Sequence, residues 1–311
     1  MIYLIYFLII FSFSNAQIDY GFEFSKSGSA GFQFLKINAD AVSSSLGGAS
    51  ITNHSASKNL NANIASITGL EKSSATFSNS NWLSNSVINN ASLIHKFGDY
   101  YLGLSIISFS TKKFEKTTVS MPSGTGELVS AGNNLIGVSI AKSFTDKLSL
   151  GLQIKYIEEV LDTYTFNNVM VDVGSLYETG YRDIKIAFVL QHFGPDISPI
   201  KMKFRSPLVF RIGISDFIFH LKSNSLRLMA EVFHPTDDED FMAIGLEYAL
   251  SKKIFFRIGN QFNTDLFGIS YGFGINDFKI TKQFKLAIDY GLVIPNKIFN
   301  DLKIISLTIS R

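Results

Sequence analysis

The 311-residue chain has no cysteine, one tryptophan and six prolines, and only 17% of its residues are charged. The lack of cysteine rules out a disulfide framework and thiolate metal sites. After residue 16 no apolar run reaches the length of a transmembrane helix, which needs about 20 residues. After residue 70 there is no sustained helical periodicity. A formal charge of +2 gives no electrostatic case for nucleic acid. The five histidines (His54, His95, His192, His220, His234) are scattered, without partners at metal-ligand spacing. Neither a nucleophile elbow nor a phosphate-cradling glycine loop is present, so no catalytic residue, metal or cofactor is predicted. What the chain does have is apolar surface: 46% hydrophobic residues, with 29 Phe and 12 Tyr. A chain this apolar without spanning helices is a well-buried β domain or a membrane β-barrel.

Residues 1–16, "MIYLIYFLIIFSFSNA", form a short apolar run ending in Ser14-Asn15-Ala16. That pattern predicts a cleaved secretory signal peptide, although its n-region has no Lys or Arg. Residues 17–70 follow as a segment that is neither good strand nor good helix. Residues 71–311 carry the main signal.

That signal is period two. Between 148 and 156, Leu148, Leu150, Leu152, Ile154 and Tyr156 alternate with Ser149, Gly151, Gln153 and Lys155. Between 242 and 249, Met242, Ile244, Leu246 and Tyr248 alternate with Ala243, Gly245, Glu247 and Ala249. Fourteen such segments are predicted: 73–79, 88–97, 100–109, 132–143, 147–159, 168–178, 183–193, 208–215, 225–233, 242–249, 253–261, 268–277, 283–292 and 303–310. One face is apolar, while the other mixes charge with small residues. An even strand count with this alternation matches a barrel that has lipid outside and a polar, filled lumen.

The links between segments sort into two classes. Those at 80–87, 110–131, 160–167, 194–207, 234–241 and 293–302 read as long, and those at 98–99, 145–147, 179–182 and 250–253 as tight turns. Long loops on one rim and tight turns on the other suit an outer-membrane barrel. Two links, 216–224 and 262–267, break the rule. Phe97, Tyr100, Tyr101, Phe284 and Tyr290 suit an interfacial girdle. "PTDDED", Pro235 to Asp240, reads as a solvated acidic loop because like charges repel, with a weak Ca²⁺ site as the alternative. The inner face is predicted to carry Lys155, Asp172, Lys185, Arg227, Glu231, Glu247, Arg257 and Asp289. These charges either line a substrate path or pair across a narrow lumen, and pairing is the reading adopted.

In residues 17–70, Phe32, Phe34, Leu35, Lys36 and Ile37 precede a run of Ala, Ser and Gly that includes Gly47, Gly48 and Ala49. Irregular, small-residue backbone of this kind is tolerated at membrane depth only inside a barrel. The segment is therefore predicted to be a hatch or plug, with Phe32, Phe34, Leu35 and Ile37 near the periplasmic mouth.

Several pieces carry a family resemblance: "FLKI" at 34–37, "LGGAS" at 46–50, "SNSNWLSN" at 78–85, "SFTDKLSLGLQIKYI" at 143–157, "VDVGSLYETGY" at 171–181, "LQHFGPDI" at 190–197 and "AIGLEYAL" at 243–250. With these the chain resembles the PorV/PorQ family of outer-membrane proteins, related to FadL-type barrels. It departs from that family's opening motif at Asn38, Val42-Ser43 and Leu46, and "NAN" at 61–63 stands in place of Asn-Pro-Ala. The resemblance implies an all-β, 14-stranded antiparallel transmembrane barrel with an N-terminal hatch, integral to the outer membrane and in contact with its lipid. It also implies a non-enzymatic role in type IX secretion, binding cargo signal domains or the translocon barrel and passing cargo to the attachment complex. The contacts would lie on loops 110–131, 194–207 and 234–241, with Phe114, Met121, Phe193, Pro195, Pro235 and Asp238 as candidate residues. The alternative from the same relatives is a FadL-like transporter of hydrophobic small molecules, with the N-terminal segment as plug.

Overall fold

The alternating segments close on themselves. In the computed structural model the chain is described over residues 28–54, 57–197, 204–221, 223–295 and 299–311. The predicted signal peptide and residues 17–27 of the N-terminal segment lie outside the described residues. The strands, in chain order, are β1 (Ser73–Asn81), β2 (Val87–Phe97), β3 (Tyr100–Ser110), β4 (Phe114–Glu115), β5 (Leu128–Val129), β6 (Ala131–Ser143), β7 (Leu148–Leu161) and β8 (Tyr164–Glu178). They continue as β9 (Lys185–Phe193), β10 (Val209–Leu221), β11 (Asn224–Pro235), β12 (Phe241–Leu250), β13 (Ile254–Phe262), β14 (Phe267–Lys279), β15 (Lys285–Pro295) and β16 (Leu302–Ser310). β4 and β5 form a small ribbon within one link, and the other strands make a single closed antiparallel barrel. β16 closes it on β1, running from Ser74 opposite Ser310 to Asn81 opposite Lys303.

Burial is inverted relative to a water-soluble sheet protein. On β7, Leu150, Leu152, Ile154 and Tyr156 are exposed, while Ser149, Gln153 and Lys155 are buried. The same inversion runs around the wall: outward Ile136, Val138, Ile212, Ile258 and Leu307 are exposed, and inward Ser78, Ser105, Arg211, Glu231 and Asp289 are buried. Water would penalise this surface, whereas hydrocarbon would not. Because the backbone groups pair from strand to strand around the closed wall, the barrel itself has no open sheet edge.

The barrel has a turn rim, which carries both of its chain ends (Ser73 and Ser310), and an opposite loop rim. On the loop rim the links 111–130 and 194–208 are long. Several expected long links are shorter. The one expected at 160–167 is a two-residue hairpin between Leu161 and Tyr164, with Asp162 at φ 57°. An aspartate tolerates this left-handed geometry, so the strands run further than their apolar rhythm. The irregular link expected at 216–224 likewise narrows to residues 222–223, because β10 continues past a bulge at Phe217/Phe219 to Leu221. On the turn rim Phe97, Tyr100, Phe144, Tyr181, Phe278 and Phe284 are exposed. Tyr101 is not part of that girdle. It points inward and packs with Leu60, Ile64, Ile67 and Leu70.

Candidate functional site

The lumen is occupied by the protein's own residues 30–54 and 57–70. The segment starts at the loop rim, where the Gly31 N–H donates to the Arg205 carbonyl at 3.1 Å. Phe32 adopts φ 54°, and a single 3-10 turn, Gln33–Lys36, follows. Phe32 and Phe34 pack with Leu135, Ile157 and Met170, and Leu35 and Ile37 lie against the same cluster. These wall residues belong to the loop-rim halves of β6, β7 and β8. The aromatic start of the segment therefore sits at the loop rim and not at the opposite mouth where the sequence placed it. The direction of threading sets this, and alternation cannot reveal it. Lys36 Nζ donates to Asp237 Oδ2 at 3.0 Å and Gln33 Nε2 to the same oxygen at 2.6 Å. The acidic loop 235–240 is thus not wholly solvated. Asp237 is buried as an anchor for the segment, while Asp238 remains exposed.

Deeper in the lumen the chain turns into the helix α1 (Ala41–Ser45), whose start is capped by Asp40: its Oδ1 accepts from the Ser43 N–H at 2.8 Å. Gly47 and Gly48 end it at φ 66° and 96°. Both are in the left-handed range, where a side chain would be strained. Ala49 packs with Val42 and Leu46 against Val209, Met229, Phe233 and Ala243.

The wall makes room for this backbone with inward-facing glycines. A Cβ added at Gly259 would fall 2.1 Å from the Leu46 carbonyl carbon and 2.2 Å from Gly47 N. One at Gly272 would fall 2.4 Å from Ser45 Cβ, and one at Gly151 would meet Ile64 and Ala65 backbone at 2.8 Å. Each of these three has a glycine directly across from it, giving the pairs Gly245–Gly259, Gly272–Gly291 and Gly151–Gly174. Alternation assigns such glycines to the polar face. Their purpose emerges only from what lies opposite them.

Between the glycines, charged side chains grip the segment. Arg211 Nε donates to Glu231 Oε1 at 2.6 Å, and Glu231 Oε2 accepts from the backbone N–H of Ser50 and Ile51 at 2.9 and 3.2 Å. Arg211 also reaches the Gly48 carbonyl at 3.2 Å. A second chain of charges runs along the wall. Arg227 donates to Asn53 Oδ1 (2.8 Å) and Glu247 (2.7 Å), Arg257 to Glu247 (2.7 Å) and Asp289 (2.8 Å), and Lys58 of the segment completes it on Asp289. Lys155 bonds Asp172 at 2.7 Å, with His192 Nδ1 2.6 Å from the same ammonium. Lys185 is at the turn rim, 2.7 Å from Glu178 and within reach of His54. Near the seam, Ser57 Oγ lies 2.6 Å from both Ser74 Oγ and Thr76 Oγ1, and the Ala41 N–H donates to Ser306 at 2.9 Å.

Among the charged and titratable residues, Arg211, His192, Lys58 and Asp237 were not assigned to the lumen from sequence. Arg211 shares the parity of Gly213 and Ser215 and could have been read from it. His192, Lys58 and Asp237 carry no periodic signal, being an irregular strand end, a lumenal turn and a loop.

The partner-loop candidates divide. Phe114 and Met121 are exposed on the link 111–130, and Phe193 is exposed at the loop-rim end of β9. Pro195 is also exposed, and its carbonyl accepts from Asn168 at 3.0 Å. Pro235 is not available: it is buried as the last residue of β11, because the strand outruns the expected loop start.

Two recesses open at the loop rim. One, of about 560 Å³, is lined by Trp82, Leu83, Phe109 and Phe114, with Lys112 and Lys113 at its edge. The other, of about 340 Å³, lies between Phe32, Phe34, Ile37, Phe109 and Leu161. Phe109 lines both.

The sequence matches no protein-family model, and no curated protein matches it in sequence. Its fold is that of several solved outer-membrane channels. The Pseudomonas putida toluene transporter TodX aligns at TM-score 0.61 and 11% identity, covering 88% of this chain and 97% of that one. The CymD monoaromatic hydrocarbon channel aligns at TM-score 0.60 and 12% identity over the same shares. A Pseudomonas aeruginosa FadL homologue aligns at TM-score 0.52 and 10% identity, covering 87% and 97%. Identities this low establish a shared FadL-like barrel fold and nothing about substrate.

Proposed function

We propose that this chain is a non-enzymatic outer-membrane barrel that takes up small hydrophobic molecules at its loop rim, with residues 30–70 as the plug that controls passage. The short turns and both barrel ends would face the periplasm and the long links the outside. The observation that carries this reading is the pair of recesses meeting at Phe109, an apolar outer one and an inner one walled by Phe32, Phe34 and Ile37 of the plug itself together with the polar Gln33, Asn133 and Glu159. Their volumes fall in the range of small-molecule sites, and the FadL-like fold is shared with channels for monoaromatic hydrocarbons and toluene. A ligand leaving the outer recess for the inner one would press on the residues that start the plug.

Trp82 lines the outer recess and is the sole tryptophan, so its fluorescence reports occupancy without a label. Toluene added to the detergent-folded protein should change Trp82 emission saturably, and Phe109→Ala should weaken the effect. Cells expressing the chain should accumulate labelled toluene faster than cells without it. Deleting residues 31–63 should raise conductance across planar bilayers. A flat titration together with unchanged uptake would overturn the reading.

A second reading, the type IX secretion role, is favoured by a different observation. The link 111–130 displays Phe114, Val119, Met121 and Leu128 as exposed apolar side chains suited to docking a protein. Deletion of the gene should then abolish surface delivery of signal-domain cargo, and intact secretion would dispose of this alternative.

A further inference from the structure

The two rims differ in charge, and one arc of the turn rim is strongly one-sided. The turn at 251–253, the β14–β15 hairpin end and the last residue of the chain bring together Lys252, Lys253, Lys279, Lys282, Lys285 and Arg311, all exposed. The only acid in these three stretches is Asp277, which reaches Lys285 at 3.5 Å. The stretches are structurally joined. The Asn276 N–H donates to the Lys253 carbonyl at 2.7 Å, and Ser310, next to Arg311, stands opposite Lys285 in the paired strands. Lys279 and Lys285 stand directly opposite each other across the hairpin. Like charges paired this way destabilise a sheet unless an anion offsets them. Among these cations lie exposed apolar side chains, with Phe278 at 65% and Ile280 at 51% exposure, and the Arg311 guanidinium lies over the Phe284 ring at 6.0 Å.

We infer that this arc binds the headgroups of anionic phospholipids in the leaflet that meets the turn rim. Cations standing level with exposed aromatics on the outer face of a barrel are at headgroup depth, where the ring lies in the interface and the ammonium meets phosphate. A soluble acidic partner would be served by the cations alone and would leave Phe278, Ile280 and Phe284 unexplained. The interaction is electrostatic and exposed, so salt screens it. It would fix the depth and orientation of the barrel independently of anything that happens in the lumen. The inference rests on the barrel spanning a membrane and not on what the barrel transports.

The test is native mass spectrometry of the folded, detergent-solubilised full chain supplied with equal phosphatidylglycerol and phosphatidylcholine. Bound phosphatidylglycerol should exceed phosphatidylcholine about five-fold, and about 0.5 M salt should abolish the preference. The variant K252Q/K253Q/K279Q/K282Q/K285Q/R311Q should lose it, while K112Q/K113Q at the opposite rim should keep it. If the six-site variant does not fold, K252Q/K279Q/K282Q gives the same reading and should lose at least half of the preference. Equal retention of the two lipids by the folded barrel, or an unchanged preference in the turn-rim variants, would overturn the inference. So would loss of a co-purifying acidic protein from those variants with lipid retention unchanged. Failure to insert into vesicles of any composition would sink the spanning reading itself, a result distinct from insertion without lipid preference.

Discussion

Residues 30–37 and the described residues between 38 and 70 share one lumen but are held there by different means. The first stretch is attached by apolar packing of Phe32 and Phe34, a short bridge to Arg205 and a polar clamp on Asp237. The second is built into the wall, its backbone pressed against glycines and its amides and carbonyls gripped by Glu231 and Arg211. Packing of the first kind can slide or be replaced by another apolar group, including a ligand. The second kind cannot move by even a methyl group without collision. A lumenal segment held this way can yield at its outer end while the inner body stays locked.

The strongest way to break that contrast is at the inner body. Glu231→Ala leaves Arg211 buried without a counter-charge and the Ser50 and Ile51 amides without an acceptor, so it should cost about 3–5 kcal/mol, read by urea unfolding of the folded barrel. Pairing it with Arg211→Met should recover much of the loss. Gly259→Val puts new carbon onto the backbone of Leu46 and Gly47, with an expected cost of about 1–3 kcal/mol and raised conductance in planar bilayers. The outer end should respond more mildly and locally. Asp237→Asn weakens the clamp on Lys36 and Gln33 by about 1 kcal/mol and should speed tryptic cleavage after Lys36 with little change in the unfolding midpoint. Met121→Ser, on the displayed link, should stay within about 0.5 kcal/mol of wild type. A global loss in Asp237→Asn matching that in Glu231→Ala would erase the distinction between the two halves.

Much of the wall was legible because a barrel strand writes its environment with period two. Leu150, Leu152 and Ile154 announce the outward face of β7 as plainly as Gln153 and Lys155 announce the inward one. Strand ends were less legible, because the wall projects beyond the apolar band. Phe166, Asp216 and Phe217 sit in strand without obeying the rhythm expected of lipid contact. The lumen was hardest to read. Parity can say that Arg257 and Asp289 face inward, but it cannot say that they meet each other, or that Lys58 joins them from a turn more than two hundred residues away. Nor can composition tell which way an irregular segment threads. A run of Phe, Leu and Ile looks the same at either mouth, and its contacts with Asp237, Arg205, Glu159 and the loop-rim wall residues tie it to the loop rim.

The glycine pairs have one more consequence. Gly245–Gly259, Gly272–Gly291 and Gly151–Gly174 leave grooves in the inner wall shaped to a single backbone. The barrel is in effect a mould of its own N-terminal residues. A wall stripped of them would not be a smooth pore: its inner surface would keep grooves one backbone wide.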